Sequence, residues 1–164
     1  MTDDLTSETD NTPKVPFEVT RARRAGARLA AVQALYEMEQ TGKSGKAVIR
    51  EFMEDRLGFG PDGIPVEEAD PDLFKSIIAA VIEHQAQIDP AILARLKNGW
   101  KLSRLDATTR AILRAGGAEF LAHDHLGDAI IIKEYVSLAH DFFDQDEPKF
   151  INAVLDRLAG DLRG

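Results

Sequence analysis

The sequence has no cysteine among its 164 residues. This absence excludes disulfide bonds, thiolate metal sites and a cysteine nucleophile. Serine is also sparse, and no nucleophile, base and orienting residue occur at a spacing that a helical protein would bring together. The polar group at positions 123–128 is interpreted as a helix end and loop, not as a metal site. We therefore expect a protein that acts without catalysis and without a cofactor.

Long hydrophobic runs are missing as well. No segment approaches the roughly 18 uninterrupted apolar residues of a membrane span. The first residues, Met1 to Asp4, show neither the basic region nor the apolar region of a secretory signal. The composition of 44% hydrophobic and 29% charged residues is that of an ordinary globular protein. These features predict a soluble, cytoplasmic protein with one domain or two small helical subdomains.

The charge is strongly acidic, with a formal net value of -8 at pH 7. Residues 1–18 hold five acidic residues, four threonines and two prolines, with few large apolar side chains. Such a segment buries too little apolar surface to offset the entropy lost on ordering. We predict a disordered acidic tail over 1–18.

Against this acidic background, four arginines lie within eight residues: Arg21, Arg23, Arg24 and Arg28. They precede a helical stretch with a small-residue face, and three of them share one stripe at i, i+3 and i+7. The pattern predicts exposed arginines beside a docked face, and hence a polyanionic partner. The alternative is an ordinary solvated helix surface whose arginines pair with the chain's own acids.

The remaining pattern is helical almost throughout. Asp70-Pro71 and Asp89-Pro90 each predict a helix start, with Asp as N-cap and Pro at the first position. Ser103 with Asp106 predicts a further start as an approximate capping box. A short helix is predicted over 46–56 with Val48, Ile49, Phe52 and Met53 buried. With about seven helices, no strands and no repeat, the predicted fold class is an all-α bundle.

Three later segments carry core predictions. The helix after Ser103 is expected to bury Leu105, Ile112, Leu113 and Phe120. The helix after Gly127 is expected to bury one side formed by Ile132, Val136, Ala139 and Phe143. The Gly116-Gly117 pair costs about 1 kcal/mol per glycine within a helix, so a close helix crossing is expected there.

The turn before the last helix combines carboxylates with a cation, an aromatic and an amide: Asp146, Lys149, Phe150 and Asn152. With the free N–H groups of a helix start, this set suits an RNA backbone and an unstacked base. The alternative is that Phe150 is a core residue, because its spacing with Ile151, Val154 and Leu155 would bury it.

Three ordered blocks resemble the NusB transcription antitermination family: residues 27–36, then Trp100, Arg104 and residues 110–114, then residues 149–156. The resemblance covers about 21–160. It implies an all-α fold of two perpendicular helical bundles, about 19–86 and about 87–160. It also implies a protein without enzymatic activity. Members bind boxA-type RNA of ribosomal RNA transcripts with NusE, a small-subunit ribosomal protein, and join an RNA polymerase antitermination complex.

The resemblance also implies site residues. The predicted RNA-binding set is Arg23, Arg24, Arg28, Asp146, Lys149, Phe150 and Asn152. The predicted partner-binding set is Tyr36, Thr109 and Arg110. The chain departs from the family pattern at Ala25-Gly26, at Lys133-Glu134-Tyr135, which replaces the usual Asn-Glu-Ala, and at Leu126-Gly127.

Two alternative functions differ in class from RNA binding. One is a helical protein-interaction module without direct RNA contact. The other is the appendage of a ribosomal RNA cytosine methyltransferase, but these 164 residues hold no Gly-rich Rossmann segment for a methyl donor. Because few cations would face RNA, the chain alone is expected to bind weakly and to need a basic partner.

Overall fold

The computed structural model describes residues 17–57 and 69–164, without the side chain of Arg56. This part of the chain contains six α-helices and no strand: α1 Phe17–Thr41, α2 Gly45–Glu51, α3 Pro71–Leu93, α4 Ala107–Ala122, α5 Asp128–Ala139 and α6 Asp146–Arg163. A π-helical turn, Phe52–Arg56, continues α2, and a 3-10 turn, Leu102–Arg104, precedes α4. The predicted all-α class is confirmed.

The predicted acidic tail lies mostly outside the described residues. Its last two positions belong to α1, which begins at Phe17. None of the helices in the described ranges has the length and apolar character needed to cross a membrane.

Aspartate caps start two of the helices. Asp70 Oδ1 accepts hydrogen bonds from the backbone N–H groups of Asp72 and Leu73 at 3.0 and 3.1 Å, which confirms the predicted start at Asp70-Pro71. At α4, Asp106 Oδ1 accepts from Thr108 N at 2.8 Å and from Thr109 N at 3.3 Å. The predicted start at Ser103 is wrong, because Ser103 lies in the 3-10 turn and Asp106 is the N-cap itself.

The predicted helix start at Asp89-Pro90 is also wrong, because α3 continues through Pro90 to Leu93. A proline inside a helix removes one backbone hydrogen bond. Here the flanking packing outweighs that cost: Ile88 and Ile92 are fully buried, and the Asp89 carboxylate accepts two hydrogen bonds from Arg114 at 2.9 and 3.0 Å. The predicted boundary between bundles, at residues 86 and 87, therefore falls within one continuous helix.

Helix α4 is the centre of the molecule and packs against α1, α3, α5 and α6. The predicted core residues of this helix, Ile112, Leu113 and Phe120, are buried. Leu105, just before the helix, is buried as well. Pro148, Ile151, Val154, Leu155 and Leu158 of α6 close the other side of this core.

Two predicted core faces are shifted. On α5 the buried residues are Ile131, Tyr135, Leu138 and Ala139, whereas Ile132 and Val136 are only half-buried. The Tyr135 side chain enters the interior because its hydroxyl bonds to a buried carboxylate, which turns the helix face by one residue. Met53 was predicted to be buried but is exposed. The π-helical turn changes the residue spacing there, while Phe52 stacks on Phe74 at a centroid distance of 5.5 Å.

The glycine pair of α4 lies at two close helix crossings, as predicted. A Cβ on Gly116 would come within 2.7 Å of Leu155 Cδ2 on α6, and one on Gly117 within 3.1 Å of Ile88 Cγ2 on α3. The absence of side chains thus lets α4 approach two neighbours at once. Close packing outweighs the low helix propensity of glycine.

We expect Gly116→Ala to destabilise the fold and Gly160→Ala to stabilise it. Overpacking against the buried Leu155 should exceed the propensity gain, leaving a net loss on the order of 1 kcal/mol. A Cβ placed on Gly160 would meet no atom of a neighbouring helix within 4 Å, so this substitution keeps only the gain in helix propensity. Denaturant unfolding measures both, and equal stabilisation of the two variants would show that the crossing is loose.

Candidate nucleic-acid interface

Three arginines form an accessible cationic surface on the first turns of α1. Arg21 and Arg24 are exposed, and Arg23 is half-buried. The backbone here is held in place, because Asp70 N donates to Arg23 O at 2.9 Å. Arg21 Nε lies 3.9 Å from Glu134 Oε1, which places this end of α1 beside α5. We call Arg21, Arg23 and Arg24 the arginine patch.

Arg28 does not belong to this patch, and the prediction that it is exposed for phosphate contact is wrong. Its side chain is only 4% exposed. Its Nε and Nη2 donate to Glu119 Oε2 and Oε1 at 2.7 and 3.0 Å. From Ala27 to Leu35 one side of α1 packs against neighbouring helices, so the stripe that is exposed at Arg21 and Arg24 enters the interior at Arg28.

Glu119 is the centre of a buried polar network. Besides Arg28, it accepts a hydrogen bond from the Tyr135 hydroxyl at 2.5 Å and lies 3.0 Å from His123 Nδ1. His123 Nε2 is in turn 2.7 Å from Ser76 Oγ. The network joins α1, α3, α4 and α5. The serine, histidine and carboxylate follow one another as in a hydrolytic triad, but this carboxylate also neutralises a buried arginine, which is a structural role.

The network determines the charge state of its members. Burial alone would raise the pKa of the Glu119 carboxyl, but hydrogen bonds from His123, Arg28 and Tyr135 with the charge of Arg28 outweigh it and hold that pKa at about 2. Burial alone would lower the pKa of Arg28, yet the bond to Glu119 raises it above its ordinary value. Both groups are therefore charged at neutral pH, and neither is free to exchange partners with a ligand.

The second predicted part of the interface lies on α6. Asp146, Lys149 and Asn152 are exposed, and Phe150 is half-buried against the core. Both interpretations of Phe150 keep support, because part of its ring packs inside and part remains accessible. Lys149 and Asn152 are three residues apart and so lie on one side of the helix.

Tyr36 lies in a surface groove of about 370 Å³. Its side chain is 43% exposed, and Phe142 provides a second exposed aromatic ring in the same groove. The walls come from α1, from the start of α4 at Thr108 and from the connection between α5 and α6. We call this the aromatic groove. Two accessible aromatic rings in a concave surface are typical of protein docking sites.

The side chains of Thr109 and Arg110 are bonded within the protein, and their role in partner binding stays a prediction. Thr109 is fully buried, and its hydroxyl donates to Glu147 Oε2 at 2.5 Å. Arg110 bonds to Glu39 on α1 and donates to the carbonyl oxygens of Leu102 and Leu105 at 3.0 and 2.7 Å. These side chains fix the start of α4 to its neighbours and so position the wall of the aromatic groove.

Sequence reasoning missed Glu119 and Tyr135. The departure at Lys133-Glu134-Tyr135 was the available signal for Tyr135, since a large residue with a hydroxyl replaces a small one there. Glu119 lies among apolar α4 residues and had no such signal. Among the described residues, no group of three or more His, Asp or Glu side chains could hold a metal ion; His123 and Asp128, both in the polar group at 123–128, are bonded within the protein.

The model of the NusB family matches residues 25–160. The chain belongs to the NusB family. The transcription antitermination protein NusB of Hyphomonas neptunium is 74% identical over 152 residues, covering 93% of this chain and 99% of that protein.

Solved structures agree on the fold. A structure of T. maritima NusB aligns with a TM-score of 0.70 at 24% identity, covering 93% of this chain and 96% of that chain. A crystal structure of the antitermination factors NusB and NusE in complex with double-stranded RNA aligns with a TM-score of 0.68 at 23% identity. The alignment covers 85% of this chain and 98% of that chain. At these identities the likeness shows a common all-helical NusB fold.

Replacing Glu119 by Gln should lower the free energy of unfolding by several kcal/mol at neutral pH. The amide cannot neutralise Arg28, and breaking a buried ion pair by removing one partner costs about 3–5 kcal/mol. Asp161→Asn provides the control, because Asp161 pairs with Arg95 at the surface and should contribute little.

The same carboxylate predicts a pH dependence. Its pKa is lower in the folded state, so its contribution is present above the unfolded value near 4.5 and is lost as pH falls towards 2. The stability difference between the wild type and Glu119→Gln should narrow over that window in denaturant titrations. A difference that stays constant from pH 6 down to the acid limit would contradict the assignment of charge to Glu119.

Proposed function

We propose that this chain is a non-catalytic transcription antitermination factor of the cytoplasm. In this role it binds boxA-type RNA of ribosomal RNA transcripts together with a NusE-like small-subunit ribosomal protein, within an RNA polymerase antitermination complex. Membership of the NusB family supports the role. The observation that carries RNA binding is the arginine patch, an exposed cationic surface on a chain with a net charge of -8.

The RNA surface in this proposal has two parts. Arg23 and Arg24 of the arginine patch contact phosphates, with Arg21 beside them. Lys149, Phe150 and Asn152 of α6, next to Asp146, offer a cation, part of an aromatic ring and an amide. Such groups suit an unpaired nucleotide, whose base can stack and present its edge. Arg28 is left out, because its charge is already neutralised by Glu119.

The partner surface is the aromatic groove. Its exposed rings, Tyr36 and Phe142, provide rigid apolar contact area on a chain with a formal net charge of -8. A basic ribosomal protein complements such a surface and adds cations that this acidic chain lacks. The heterodimer should therefore bind RNA more tightly than the chain alone.

Arg24→Ala should weaken RNA binding by the partnered complex without loss of helicity, because the side chain is exposed. The slope of log affinity against log salt should fall by about 0.7, the value for one lost single-strand phosphate contact. Lys46→Ala is a charge-matched control, since Lys46 is exposed at the start of α2, beside the opposite end of α1. Fluorescence titration of boxA-type RNA over a salt series measures the effect. Equal slopes for Arg24→Ala and wild type would remove the arginine patch from the RNA surface.

Tyr36→Ala should weaken binding of the NusE-like protein by roughly tenfold or more, as expected for a central aromatic of an interface. Leu93→Ala is the control, because Leu93 is 44% exposed, much like Tyr36, but lies at the end of α3 outside the groove. Isothermal titration calorimetry compares them. If both variants bind the ribosomal protein as the wild type does, the aromatic groove is not the docking site.

A helical protein-interaction module without direct RNA contact is the alternative function. It predicts that the chain binds the ribosomal protein through the aromatic groove and adds nothing to the salt dependence of RNA binding. Titrating RNA with the ribosomal protein alone, and then with the heterodimer, separates the two functions.

A further inference from the structure

Helix α5 lies between the two parts of the proposed RNA surface. It packs on α1 and on α6, whereas direct contact between α1 and α6 is slight at most. On one side, Glu134 of α5 is 3.9 Å from Arg21 of the arginine patch. On the other side, Asn152 of α6 lines a groove with residues of α5. An RNA strand that reaches from the arginine patch to Asn152 has to cross the outer face of α5.

The outer face of α5 carries groups that suit RNA. Lys133, Ser137 and His140 are exposed and line the groove, at spacings of four and three residues that place them in one row. They supply a cation, a hydroxyl and an imidazole on the same edge.

The groove between α5 and α6 is large enough for a nucleotide. Its volume is about 630 Å³, within the range of about 300–1,000 Å³ that small-ligand pockets show. Ile132 and Val136 are half-buried and give it an apolar floor, and the Asn152 amide stands on its rim. An apolar floor with amide and hydroxyl groups at the edge is the arrangement that holds an unstacked base.

We propose that the groove between α5 and α6 binds one nucleotide of the same single-stranded RNA, with Lys133 contacting its phosphate. This inference rests on the proposed function, and it adds α5 as the element that joins the arginine patch to α6. The occupant is RNA and not a protein segment, because α5 joins the groove to the arginine patch: Glu134 of this helix lies 3.9 Å from Arg21, and the exposed row of the groove begins with Lys133.

Two carboxylates also line the groove, and their positions are compatible with this ligand. Asp128 accepts a hydrogen bond from Arg163 Nη1 at 2.5 Å, so this carboxylate is paired with a cation of the chain itself. Asp156 lies on α6, one helical turn beyond Asn152, and can accept hydrogen bonds from a base or a ribose. Of the two carboxylates that line the groove with Lys133, Asp128 is therefore paired with Arg163, and Asp156 lies on the opposite helix.

The test compares Lys133→Ala, Lys133→Arg and the control Lys46→Ala in the full chain bound to the NusE-like protein. The probe is a labelled single-stranded boxA-type oligonucleotide, titrated from about 50 to about 200 mM salt. We expect Lys133→Ala to weaken binding several-fold at low salt and to lower the salt slope by about 0.7. Lys133→Arg should keep the slope, and Lys46→Ala should match the wild type. Circular dichroism and melting of each variant establish that the fold is intact.

Arg24→Ala and the double variant Arg24→Ala/Lys133→Ala distinguish failure here from failure of the proposed function. If the two contacts are separate phosphates, the slope of the double variant falls by about 1.4. If Arg24→Ala lowers the slope and Lys133→Ala does not, the α5 proposal is overturned and RNA binding by the arginine patch stands. If neither variant changes the slope, the proposed RNA surface is wrong and the α5 site fails with it.

Discussion

The buried pairing of Glu119 with Arg28 constrains most of this structure. A carboxylate without any exposed surface can stay ionised only if its hydrogen-bonding capacity is filled and its charge is matched. Arg28 supplies the charge, and Tyr135 and His123 supply the remaining bonds. Because these groups come from α1, α4 and α5, separating any of the three helices would leave a buried charged or polar group without its partner.

Arginines at two further places have the same structural use. Arg110 and Arg114 of α4 both bond to Glu39 of α1, and Arg114 also bonds to Asp89 of α3. Arg163 near the end of α6 donates to three backbone carbonyl oxygens at the end of α4 and in the turn before α5, and to Asp128. A guanidinium with five donors in a rigid fork can join several elements at once. In an acidic chain, cations committed to such bonds leave few for an external anion, which is why the position of each arginine matters for function.

Local signals in the sequence predicted local features well. The cap at Asp70 depends on residues next to each other, and the glycine pair of α4 requires close neighbours wherever they come from. The fate of Arg28 depends on Glu119, which is 91 positions away, and helical spacing alone cannot show that partner. The wrong prediction of a helix start at Pro90 has the same cause. The helix α3 continues across Pro90 because Ile88, Asp89 and Ile92 contact other helices, and the local sequence does not show those contacts. The arginine patch and the α6 residues were predicted as candidates, but which cations remain available could be read only from the packed structure.

The position of Tyr135 has a consequence for how α5 presents its outer face. The inner side of this helix is tied to Glu119 through the Tyr135 hydroxyl, while Lys133, two residues away, points outward. Any rotation or sliding of α5 would break a hydrogen bond in the most buried part of the protein. The outer row is therefore preorganised, and a ligand that binds it incurs little cost of ordering the protein backbone. Most of the conformational entropy lost on binding is then lost by the flexible ligand. Discrimination between ligands therefore depends on how readily each ligand adopts a conformation that fits the rigid helix.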